Sequence, residues 1–145
     1  MANKSQVTVN FPTDFRDLLG KINAAIQDSA LEIAGLIAED AQATSAFRDY
    51  TGTPRESEWH KAHFPNARTL RINIKAKLSK YLDGGAIVVA SAPHAHLVEY
   101  GHVFVAHGKV CGSVPPHPYL RPACEARMEE AVMKFANAIQ ETLGS

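Results

Sequence analysis

Seven histidines in 145 residues raise the question of a metal site, and most of them sit close together. His94, His96, Glu99, His102, His107 and Cys111 fall within one short stretch. Imidazole, carboxylate and thiolate are zinc ligands when three or four converge. On this reading His94, His96, Glu99 and His102 could serve a small metal-dependent hydrolase. The spacing matches no zinc motif, and an extended chain would point His94 and His96 to opposite faces, so polar loop histidines are the simpler reading. His60 and His63, beside Trp59, have the two-intervening-residue spacing of a weak helical ligand pair and lack the HExxH pattern. Neither a metal nor a cofactor is expected.

Glu99, flanked by Val98 and Tyr100, is the best general acid or base in the chain. The alternative is structural: Glu99 accepts backbone hydrogen bonds, or pairs with Arg121, and holds a turn against the last helix. Ser91 lacks a nucleophile-elbow context, Cys111 lacks a nucleophile signature, and no glycine-rich phosphate loop is present. The sequence therefore reads as a non-enzyme.

Arg71, Lys75 and Lys77 recur at strand spacing and form a candidate DNA-facing row. A solvated strand face, with lysines that discourage edge pairing, explains the same residues. Overall charge does not favour nucleic acid: Lys+Arg 15 balances Asp+Glu 15, whereas a nucleic-acid-binding module is usually basic.

The elements that must position these residues follow from periodicity. Gln6–Phe11 alternates like a short strand ended by Pro12. From about Asp14 to Ala43, Phe15, Leu18, Leu19, Ile22, Ile26, Ala30, Ile33, Leu36, Ile37 and Ala41 form one helical stripe. Periodicity fails over residues 44–68, a stretch containing Trp59 and His60 that is long for a structureless loop; it either carries a short helix near Ser57–His63 or orders only against a neighbouring subunit. Thr69–Leu78 alternates without a break, Asp83-Gly84-Gly85 signals a hairpin, and Ala86–Ala90 returns as a second strand. Val103–Ala106 and Val110–Val114 add a third strand and an arm-like loop. Val103, Phe104, Val105 and Val110 are more apolar than a free loop requires. The arm is thus an oligomerisation element or an ordinary internal hairpin. The last helix opens near Arg121-Pro122 and carries its stripe on Leu120, Cys124, Met128, Ala131, Val132, Phe135, Ile139 and Leu143.

The fold expected is α+β: a small antiparallel sheet packed by a long N-terminal helix and a C-terminal helix, in one domain over residues 1–145. Apolar content of 46% with 21% charged residues is that of an ordinary globular chain. The opening residues lack the apolar run of a leader, and no stretch approaches the length of a membrane span. Two cysteines, Cys111 and Cys124, are too few for a disulfide framework.

Two motifs resemble a known family. Ala92-Pro93-His94-Ala95 with Leu97-Val98-Glu99-Tyr100-Gly101, followed by a β-segment and then His117-Pro118-Tyr119-Leu120-Arg121-Pro122-Ala123, is similar to the minor tail-component, or neck and tail-completion, proteins of long-tailed bacteriophages. The match covers roughly a quarter of the chain. His102 and the extra proline before Pro118 depart from the family pattern. The resemblance implies a structural virion protein at the head–tail joint, made in the host cytoplasm. It implies a homo-oligomeric ring, six-fold or a multiple, between a head-completion or connector protein and a tail terminator or tube protein. Viral DNA would pass through the lumen, and no membrane would be involved. It further implies a structural clasp of Glu99, Tyr100, Gly101, Tyr119, Leu120, Arg121 and Pro122. Contacts between subunits would fall to Val103, Phe104, Val105, Val110, Trp59 and His60.

Overall fold

The computed structural model describes residues 13–47, 70–81 and 84–144. The expected strand at Gln6–Phe11, most of the 44–68 loop with Trp59, His60 and His63, and Arg68 lie outside these ranges. The architecture is α+β, with four α-helices and two antiparallel sheets of two strands each among the described residues.

Helix α1 spans Thr13–Ala43, as its stripe predicts. At 1.5 Å per residue it is about 46 Å long, more than a small core can cover. Only its second half is buried, through Ala30, Ile33, Ala34, Ala38 and Ala41; Phe15 and Leu19 in the first half stay exposed. The stripe is thus real, but in the first half Leu18, Ile22 and Ile26 are only half-buried.

Strand β1 is shorter than its alternation implies. Residues Arg71–Asn73 form a 3₁₀ turn, and the strand runs only over Ile74–Leu78. Leu70 and Ile74 are buried, but Ile72 is exposed. The Arg71 side chain explains the turn: its guanidinium donates to the carbonyls of Gln42 and Phe47 at the end of α1 and stacks on the Phe47 ring at 4.6 Å. Gln42 returns a hydrogen bond from Nε2 to the Ile74 carbonyl at 2.7 Å. β1 pairs with β2 (Ala86–Ala90) in the register Ile74 to Ala90 and Leu78 to Ala86. Ile74, Ala76, Val88 and Ala90 consequently share the face that packs toward α1.

Helix α2 (Ala95–Tyr100) follows, then β3 (His102–Ala106) and β4 (Lys109–Val114). The last two do not extend the first sheet as a third strand; among the described residues they pair only with each other. The turn is His107-Gly108, both at positive φ (52° and 77°), the two-residue geometry whose twist matches that of antiparallel strands. A bulge at Cys111, between the pairs Phe104 to Gly112 and Val105 to Val110, adds local bend.

The last helical stretch is broken, not continuous. α3 covers Leu120–Ala126 and α4 covers Met128–Gly144, with Arg127 between them at φ −102°, ψ 0°. No glycine or proline marks the break. Instead the Arg127 guanidinium holds both carboxylate oxygens of Asp40 on α1, at 2.6 and 3.0 Å, and Glu130 at 2.6 Å. Lys134 and Glu32 form a second link between α4 and α1. Met128, Val132 and Leu143, placed on the buried stripe by the sequence, are exposed.

The core joins the end of α1, the first hairpin and the α2–α3 junction through Ala38, Ala41, Leu70, Ile74, Ala92, Ala95, Tyr119 and Ala123. Most buried apolar positions are alanines, which draw backbones close together. Among the described residues few of the larger apolar side chains are fully buried; most are half-buried or exposed.

Candidate functional site: the Glu99 clasp, the β3–β4 arm and the groove

The four backbone N–H groups that open a helix have no partner within it. For α3 these belong to Tyr119, Leu120, Arg121 and residue 122. Glu99, buried at the end of α2, accepts from three of them: Tyr119 N at 2.8 Å and Leu120 N at 3.1 Å on Oε2, and Arg121 N at 3.2 Å on Oε1. The fourth residue is Pro122, which has no N–H. One carboxylate and one proline thus satisfy the whole helix opening. The negative charge also faces the positive end of the peptide dipoles. Of the two structural roles open to Glu99, backbone acceptance is the one present; no Glu99–Arg121 ion pair occurs among the described residues.

Tyr119 locks the same junction. It is 2% exposed, its hydroxyl donates to the Ala95 carbonyl at 3.3 Å, and its ring meets Phe47 edge-on at 5.1 Å. Burial, reinforced by the negative charge of Glu99, pushes its phenol up to about 12. Arg71, Phe47, Tyr119 and Glu99 therefore form one continuous chain from α1 to α3. Leu120 packs against the core, and Tyr100 is exposed beside the groove described below.

Gly101 fixes the root of the arm. Its φ is +73°, and a Cβ there would lie 2.6 Å from the Val114 carbonyl oxygen and 2.8 Å from Pro116 N. No side chain fits, so the two ends of the arm can meet only at glycine. His117 N donates to the Val98 carbonyl at 2.8 Å and closes the return strand. The Nδ1 of His102, the next residue, is buried and has no hydrogen-bond partner.

Beyond this root the arm buries almost nothing. Val103, Phe104, Val105 and Val110 are 54–69% exposed, and every residue of β4 is exposed. The groove lies between α1, β2 and the α2–α3–α4 surface, with a volume of about 990 Å³. Ile33, Ile37, Val88, Cys124, Met128 and Phe135 are among its walls.

The other candidates separate. His94 precedes α2, His96 borders the groove, and His107 occupies the hairpin turn. Among the described residues no group of three or more His, Cys, Asp or Glu side chains is placed to hold a metal ion. With Glu99 engaged by backbone, the hydrolase constellation does not assemble. The basic row is also reduced. Lys75 and Lys77 remain exposed on β1, opposite Val89 and Ile87, whereas Arg71 lies off the strand and is engaged with α1.

No protein-family model, curated protein or solved structure matches this chain. Among the described residues no helix is long and apolar enough to cross a membrane.

Proposed function

We propose that this chain is a structural subunit of a bacteriophage neck, acting by assembly and not by catalysis. The observation that carries the reading is the β3–β4 arm, an apolar hairpin exposed on a chain whose interior is mostly alanine. Patches of this kind on soluble proteins mark contacts with other proteins. The resemblance supplies the kind of assembly. Its two motifs, residues 92–101 and 117–123, meet in the fold, and Glu99 of the first caps the helix opened by the second.

In this role the clasp gives each subunit a rigid base, and the arm presents a sticky surface. Repeated contacts between copies close a ring between the head-side connector and the tail. DNA passes through the lumen, where Lys75 and Lys77 give weak contact with phosphates. The protein resides at the head-proximal end of the tail in the virion and in the host cytoplasm during assembly.

Light scattering across a concentration series, with negative-stain images, tests the ring. Purified tails that lack a head test the location. Binding at one tail end is the expected result. Replacement of residues 103–114 by a two-residue turn should abolish the ring. No binding to tails would overturn the virion reading.

A further inference from the structure

We draw no further inference here: the strongest candidate, the apolar groove between α1, β2 and the α3–α4 surface, carries nothing because nothing in the structure shows what covers it.

Discussion

Replacing Glu99 should show how much of the fold depends on one carboxylate. In Glu99→Ala, three backbone N–H groups lose their acceptor: Tyr119 at 2.8 Å, Leu120 at 3.1 Å and Arg121 at 3.2 Å. A hydrogen bond to a charged group contributes about 1.5–3 kcal/mol, and a buried donor left unpaired costs about 1–3 kcal/mol. The three share one acceptor and do not add. Arg121 is exposed, so water can replace its bond, whereas the N–H of Tyr119 stays buried. The expected loss is therefore about 3–4 kcal/mol, a large part of the roughly 5–15 kcal/mol that holds a typical domain together. Glu99→Gln keeps one acceptor oxygen and turns an amide donor toward donors, for an expected loss of about 2 kcal/mol. Urea unfolding in dilute solution, followed by far-UV circular dichroism, reads both. With a slope of about 2 kcal/mol per molar, the alanine midpoint should fall by about 1.5–2 M. Exposed Glu125→Ala is the control and should stay within about 0.5 kcal/mol of the parent. A Glu99→Ala protein within about 1 kcal/mol of the parent would refute the capping argument.

Three further outcomes are expected. Gly101→Ala places a Cβ 2.6 Å from a carbonyl oxygen at positive φ and should cost about 3 kcal/mol or more, read as a lowered melting temperature; an unchanged one would contradict the root geometry. The hydrogen bonds and charge of Arg127 hold Asp40 below the usual carboxylate range. Because the folded value is depressed, the stability it contributes is present above the unfolded value near 3.9 and is lost as pH falls. The gap between the parent and Asp40→Asn in denaturant midpoint should accordingly close on acidification, and a constant gap would count against it. Tyr119 has the opposite sign: its folded value is raised to about 12, so the stability it contributes is present below 10 and declines as pH rises toward 12. Tyr119→Phe should lack that decline and the late phase of phenolate absorbance.

Elements whose local pattern agrees with their packing were legible in the sequence. The stripe of α1 and the alternation of Ile74, Ala76 and Leu78 set the helix and the first hairpin correctly. The failures arise where a side chain far away in sequence decides. Leu70-Arg71-Ile72 alternates like a strand, yet Arg71 is drawn to the carbonyls at the end of α1, and the backbone turns to follow it. The helical period runs unbroken through Arg127 because nothing local announces the break, and the residue that holds Asp40 stands 87 positions away from it. The candidate site was half visible. Glu99 and Gly101 stand out by type and spacing, but backbone N–H groups leave no signature, so nothing in the letters chose between capping and pairing with Arg121. The separation of the arm into its own sheet was equally hidden, since period-two alternation does not say which strand is the neighbour.

The pinned root of the arm has a consequence for how the segment can be altered. Gly101, the 117–98 hydrogen bond and the Glu99 cap fasten both ends of the intervening segment to the body, so its length and sequence are uncoupled from the stability of what lies beneath. The closure entropy of such a segment grows only slowly with added residues. The hairpin is thus an exchangeable cassette on a fixed socket. A hairpin of different length or sequence should graft between Gly101 and Pro116 without disturbing the scaffold, and a large loss of melting temperature in such a graft would contradict this.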